Sequence, residues 1–188
     1  TIKVETNING EKYDLLLDSG ASSFVLINKN PFKDKDQKID MKSLNILASS
    51  AKPSKALVFK SESLQLSGLN IDKNIITVDE SLKANVLGFK FMKNYNWIID
   101  FKNEKLYLKE IDESDVDTYF EKLKSVKYVA VAVNGSLTII YSATDDFAVG
   151  NMIKSVNGEK VNDQNICKLQ EFLLDHKDNW ENINIEIY

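Results

Sequence analysis

Arginine is absent from this sequence, and cysteine and histidine occur once each among 188 residues. All 24 cationic side chains are therefore lysines, which excludes the planar, two-pronged forks that arginine makes with phosphates and carboxylates. The lone Cys167 cannot close an internal disulfide, so nothing covalent staples the fold. The lone His176 leaves no histidine-rich metal site and argues against Ser-His-Asp or Cys-His catalysis; both residues read as ordinary helix residues. The reading calls for no metal and no cofactor. The net charge of −4 supplies no basic surplus, so no nucleic-acid partner is expected. No apolar run approaches the roughly 20 residues that span a bilayer, so no transmembrane segment is expected. A signal-peptide pattern is missing too. Thr1 opens directly into a strand-like pattern without an initiator methionine, so the chain reads as trimmed and the missing export signal weighs little.

What is present suits one large soluble domain or two small ones: 43% of the residues are hydrophobic and 28% charged. The first hundred residues read as short strands. Ile2, Val4 and Ile8 share a parity, and Asn9-Gly10 supplies the positive-φ pair of a tight hairpin. A return strand over 13–17 ends in Leu15-Leu16-Leu17, a run suited to burial on both faces. Further strands are expected over 22–27, 44–47, 56–59, 63–66, 74–78, 96–100 and 105–108, with a short helix over 89–94. The acidic stretch Glu110-Ile111-Asp112-Glu113-Ser114-Asp115 marks a change of composition, and a boundary is placed there: a mainly β domain over 1–110, then a second over 111–188. In the second, Ser114 or Asp115 can cap a short helix, strands are expected over 128–133, 137–142 and 152–156, and Asn157-Gly158 is another tight turn. Asp163 can cap a helix over 164–175, and Ile183, Ile185 and Ile187 close the chain as a period-two strand.

The chemistry gathers at Asp18-Ser19-Gly20-Ala21. A strand delivers a carboxylate, Ser-Gly turns the chain tightly, and Phe24-Val25-Leu26-Ile27 resumes a strand. Gly20 lets backbone pass closely, and the Ser19 hydroxyl and nearby amides can hydrogen-bond the carboxylate. The bare triplet is an ordinary turn; the apolar flanks on both sides set it apart. A second segment, Asn85-Val86-Leu87-Gly88-Phe89-Lys90-Phe91-Met92, places apolar residues before a glycine and a short helix. Together the two segments resemble retropepsin-like aspartic peptidases over roughly 1–110, with Trp97-Ile98-Ile99-Asp100-Phe101 and Leu106-Tyr107-Leu108 similar to that family's terminal strands.

The resemblance implies a retropepsin-like closed β domain with Asp18, Ser19 and Gly20 catalytic and Ala21 and Gly88 beside the substrate. It also implies a flap over 47–57, bringing Ser49, Ser50, Ala51 and Lys52 to the substrate, although the family's flap tips are glycine-rich and this stretch has none. Such enzymes pair two carboxylates that share one proton. Here there is one Asp-Ser-Gly and no Asp-Thr-Gly, and Asp100-Phe101-Lys102 reads as the start of a hairpin turn. The second acid then comes from a homodimer or from a peptidase half upstream.

In the second domain, Val149-Gly150-Asn151-Met152-Ile153-Lys154-Ser155-Val156-Asn157-Gly158 resembles the Gly-Asp-x-Ile-x-x-Ile-Asn-Gly pattern of PDZ domains, with Asn151 in place of Asp and no Gly-Leu-Gly-Phe carboxylate loop. That implies a small PDZ-like β domain whose peptide groove lies between the strand 137–142 and the helix 166–174. The pairing of modules resembles exported bacterial proteins. Two readings stand: an aspartic endopeptidase acting on a peptide or protein substrate, or a non-catalytic peptide-binding scaffold. Asp18 favours the first, because a site without chemical demand has little reason to keep a buried acid.

Overall fold

The computed structural model describes residues 2–33, 38–47, 50–61, 64–111 and 116–188, and only the backbone path over 40–55. Contacts divide the chain into two compact units. One comprises Thr1–Ile39 and Leu57–Phe120, the other Asp40–Ala56 and Glu121–Tyr188. The expected boundary after residue 110 thus lies ten residues before the division at 120, and 40–56 join the second unit. Both units are mainly β, as the sequence implies.

The strands run in chain order from β1 (Lys3–Ile8) and β2 (Glu11–Asp18) through β3 (Val25–Ile27), β4 (Lys38–Leu47) and β5 (Ser50–Ser61). After them come β6 (Leu64–Leu66), β7 (Leu69–Ile71), β8 (Asn74–Val78) and β9 (Asn85–Gly88). The short helix α1 (Phe89–Met92), the ribbon β10 (Tyr95–Asp100) and β11 (Lys105–Glu110), and the helix α2 (Val116–Ser125) follow. In the first unit the sheet order is β5-β8-β3-β9-β2-β1-β6-β7, with β10 and β11 paired apart. Asn9-Gly10 does form the tight hairpin: both φ values are positive and Ile8 pairs with Glu11. Alternation buries Val4, Thr6 and Ile8 on one face of β1. Leu15 is fully buried, but Leu16 and Leu17 are only half covered, so β2 is not sealed on both faces.

The first turn of α2 is tied down by charge. Asp117 pairs with Lys60 of β5, and its Oδ2 accepts from Lys73 Nζ at 2.7 Å. These two lysines pull its carboxyl down to about 2 from 3.8. The expected caps of this helix, Ser114 and Asp115, lie outside the described residues.

The second unit is completed by β12 (Tyr128–Val133), β13 (Ser136–Ser142), β14 (Met152–Val156), β15 (Glu159–Lys160), α3 (Ile166–Asp175) and β16 (Ile185–Ile187). β13 lies between β12 and β14, and its end pairs with β4 at Tyr141 and Ser43. One face of α3, carrying Ile166, Leu169 and Leu173, closes a core with Ala130, Leu137, Ile139, Ile153 and Val156. At its centre Trp180 stacks on Tyr128 at 4.7 Å between ring centroids and donates its indole N–H to Leu173 O at 3.2 Å. The N-cap of α3 is Asn165 rather than the expected Asp163. Asn162 Oδ1 accepts from the amides of Gln164 and Asn165, so the turn is organised one residue earlier. Cys167 lies on α3 as an ordinary, exposed helix residue, whereas His176 falls just past the helix as its C-cap, with Nδ1 bonding Phe172 O at 2.7 Å. Among the described residues no helix is long and apolar enough to cross a membrane.

Two measurements check this packing. Trp180→Ala should cost about 3–5 kcal/mol in urea unfolding of the second unit, from lost burial and the cavity left behind. For Asp117, a depressed carboxyl stabilises the fold above its unfolded value of 3.8, and that contribution fades as pH falls toward about 2. The urea midpoint of wild type should therefore exceed that of Asp117→Asn by a constant margin near neutrality, and the margin should vanish toward pH 2.

Candidate active site

β9 is inserted between two strands that are close in sequence. It runs parallel to β2, with Leu17 opposite Leu87 and Asp18 opposite Gly88, and antiparallel to β3, with Val25 opposite Leu87. The residues between β2 and β3 therefore arch over the end of β9. Gly88 is where the two chains come closest. A Cβ on it would stand 2.4 Å from Ser23 O, 2.5 Å from Ser23 Oγ and 2.8 Å from Ala21 O, distances no side chain tolerates.

That closeness is used. The Gly88 amide donates to Phe24 O at 2.7 Å, the Phe89 amide to Ala21 O at 2.8 Å and the Lys90 amide to Ser23 O at 3.0 Å. The first amides of α1, which have no partner within the helix, thus saturate the carbonyls of the loop. The same bonds explain why β3 starts at Val25 and not at residue 22: the Ala21 and Ser23 carbonyls are already engaged. At the far end of β9, Asn85 Oδ1 accepts from the Asn28 amide at 2.9 Å. Phe24 packs edge-on against Tyr119 of α2 at 5.2 Å, and Lys90 Nζ lies 4.4 Å from the same ring's centroid while bonding its hydroxyl.

Asp18 ends β2 on this platform. Its Oδ1 accepts from the Gly20 amide at 2.9 Å, and the Ala21 amide donates to Asp18 O at 3.2 Å. Among the described residues, the Ser19 hydroxyl adds no bond to the carboxylate. Asp18, Ser19 and Gly20 are exposed, which corrects the expectation of a buried acid. Apolar residues flank the loop to anchor it, and the carboxylate itself is held out toward solvent. Such a group can take a proton from a water, or, protonated, donate to a carbonyl.

The structure thus brings Asp18, Ser19, Gly20, Ala21 and Gly88 together. Ser49 lies outside the described residues. Ser50, Ala51 and Lys52 open β5, where the backbone alone is described, within the stretch that belongs to the second unit. Asp100 serves its own turn: Oδ1 accepts from the amides of Lys102 and Asn103 at 3.1 Å, and Oδ2 from Asn103 Nδ2 at 2.7 Å. The Asn103 side chain, then its amide, lower the Asp100 carboxyl below its usual range. Sequence reasoning missed Ser23, whose Oγ is buried and without a hydrogen-bond partner among the described residues, and Phe24 as an acceptor. Their signal was the pairing of a small-residue loop with a distant glycine.

No family model and no curated protein matches this chain. Among solved structures it is similar to a retropepsin-like aspartic protease from Rickettsia conorii, at 18% identity, over 57% of this chain and 88% of that one, with a TM-score of 0.41.

The two glycines should respond differently to a methyl group. Gly88→Ala should destabilise the first unit by about 3 kcal/mol or more, because the clash also breaks the bonds to the Ala21, Ser23 and Phe24 carbonyls. Gly20→Ala should stay within about 1 kcal/mol, since its Cβ would meet Asp18 Oδ1, a movable side-chain atom, at 3.2 Å. Urea unfolding of both variants measures the contrast.

Proposed function

We propose that this chain carries one half of an aspartic peptidase site and that Asp18 is its working carboxylate. The observation that supports this reading is the seating of the Asp18-Ser19-Gly20-Ala21 loop on β9 through Gly88. One backbone hydrogen bond to Ala21, two more to Ser23 and Phe24 just beyond it, and a close chain crossing together fix where the turn's carboxylate stands. Fixed placement is what general acid-base chemistry requires.

The chemistry needs a second carboxylate. With one Asp-Ser-Gly in the sequence, the partner acid is Asp18 of a second copy or an acid of a second half outside residues 1–188. In the assembled pair one carboxylate is ionised and the other protonated. The ionised member takes a proton from a water as its oxygen attacks the peptide carbonyl, and the protonated member donates to the carbonyl oxygen. The resulting tetrahedral intermediate then expels the amine, which leaves with a proton returned by the pair. The substrate is a peptide or protein.

We read the second unit as a PDZ-like docking module, on its Asn157-Gly158 hairpin and the helix α3 that follows. A groove beside α3 would lie along a strand other than the expected one. β13 is paired on both edges, so the strand with an edge facing α3 is β12, where the Ala132 amide donates to Gln170 Oε1 at 2.6 Å. The competing scaffold reading draws on the exposure of Asp18.

A mixed-peptide library incubated at acid pH tests the proposal. Cleavage should follow a bell-shaped pH profile on the acid side, rise per protein with concentration, and be abolished in Asp18→Asn, which should keep the wild-type unfolding midpoint. Cleavage that survives in the variant would remove Asp18 from the mechanism. Silence of this chain at every concentration, with binding of the same peptides, would remove the pairing of two copies and leave a second half outside residues 1–188 or the scaffold.

A further inference from the structure

A cleft of about 410 Å³ opens in the first unit, three strands away from β2 in the sheet, lined by β7 with the two residues after it and by the β10–β11 ribbon. The pleat dictates its walls. Tyr95 and Glu110 stand directly opposite each other across the ribbon, and Leu108 lies two residues along on the same face. On the other side Leu69 and Ile71 alternate with Asn70, and Asp72 follows. Ile71 is buried, whereas Leu69 remains 46% exposed, a large apolar side chain at the rim of a concave site.

The ring of Tyr95 is held in place, stacked on Phe91 at 5.0 Å and edge-on to Trp97 at 6.3 Å. Its hydroxyl has no partner among the described residues. The Asp72 and Glu110 carboxylates likewise carry neither an ion pair nor a hydrogen bond among the described residues, yet both act on the same phenol. Burial raises the Tyr95 hydroxyl first, and the charges of Glu110 and Asp72 raise it further. Lys73, a cation on the lining, is drawn to Asp117 at 2.7 Å. The cleft therefore combines aliphatic walls, a fixed aromatic ring and two carboxylates with no partnering cation among the described residues.

We propose that this cleft binds an alkylammonium group, the aliphatic stem lying along Leu69, Ile71 and Leu108 and the ammonium received by Asp72, Glu110 and the face or hydroxyl of Tyr95. An ammonium on an apolar stem matches each wall: the chain covers the exposed leucine, and the compact charge reaches two carboxylates at once. A lysine side chain of a bound peptide and a small free amine share this chemistry. The site is independent of Asp18 and of whether the chain hydrolyses peptides.

Titration of the whole chain with Nα-acetyl-lysine methylamide and with n-butylammonium, followed by amide NMR shifts at constant ionic strength, tests the proposal. Both should give saturable shifts confined to residues 69–73, 95, 108 and 110. The Nε-acetylated lysine compound, which has the stem without the charge, should give none. The double variant Asp72→Asn with Glu110→Gln replaces two exposed side chains by isosteres and should keep the fold, while affinity falls about tenfold, the size of two half-exposed ion pairs. Tighter binding of the lysine compound than of butylammonium assigns the site to peptide side chains, and equal binding assigns it to free amines. Absence of saturable shifts, equal binding of the acetylated compound, or unchanged affinity in the double variant would overturn it.

Discussion

The passage of β9 between β2 and β3 is the constraint on which the first unit depends. Two strands joined by six residues are held apart by a third that arrives some sixty residues later, and they can accept it only where the incoming chain has no side chain. Gly88 meets that condition at the one point where the loop carbonyls come within hydrogen-bond reach. The bonds to Ala21, Ser23 and Phe24 follow from the closeness, and the position of Asp18 follows from the bonds. Remove the closeness and three carbonyls lose their donors, each a loss of about 1 kcal/mol or more. The placement of an exposed carboxylate therefore rests on a buried glycine.

Much of this was legible in the sequence because it is local. Asp18-Ser19-Gly20, the Asn9-Gly10 and Asn157-Gly158 turns, and the Asp100 turn are each written within four residues, and each forms as read. The crossing at Gly88 was legible through its resemblance to a known pattern rather than through periodicity. What was not legible is non-local. Which strand edge remains free to face α3 depends on the order of the sheet, and strand order is set by pairings such as that of Leu137 with Ile153. The hydrophobic pattern of β12 and β13 gives no hint that β13 is the inner strand. Exposure of Asp18 was misread because apolar flanks were taken to bury the acid, when they anchor the arms of its loop. Ser67-Gly68 and Asn134-Gly135 also form two-residue turns with positive φ, the first hidden by its serine and by flanking strands of three residues each. Trp180, a lone aromatic in the polar run Asp178-Asn179-Trp180-Glu181, gave no sign of being the centre of a core.

In the second unit the outer edge of β12 is covered by its own neighbours. The amides of Lys127 and Tyr128 donate to Lys177 O at 2.8 and 3.2 Å, and Gln170 takes the amide of Ala132. Unpaired strand edges invite pairing with other chains, and a side chain from the middle of α3 and a carbonyl just beyond its end blunt this one. A peptide that adds to β12 has to displace Gln170 first, so whatever docks here competes with the protein's own hydrogen bond.

The two units share a principle. Backbone donors that regular structure leaves over are matched to acceptors from a distant segment, through α1 at the Asp18 loop and through α3 at β12. In the first unit this matching is what makes an exposed turn rigid. Residue-resolved hydrogen exchange tests it most directly. The account predicts that the amides of Gly88, Phe89 and Lys90 are protected as strongly as those of Val25 and Leu87 in the core strands, although the Phe89 side chain is 50% exposed. Exchange of these three amides at the rate of the open loop residues Ser19 and Gly20 would contradict it.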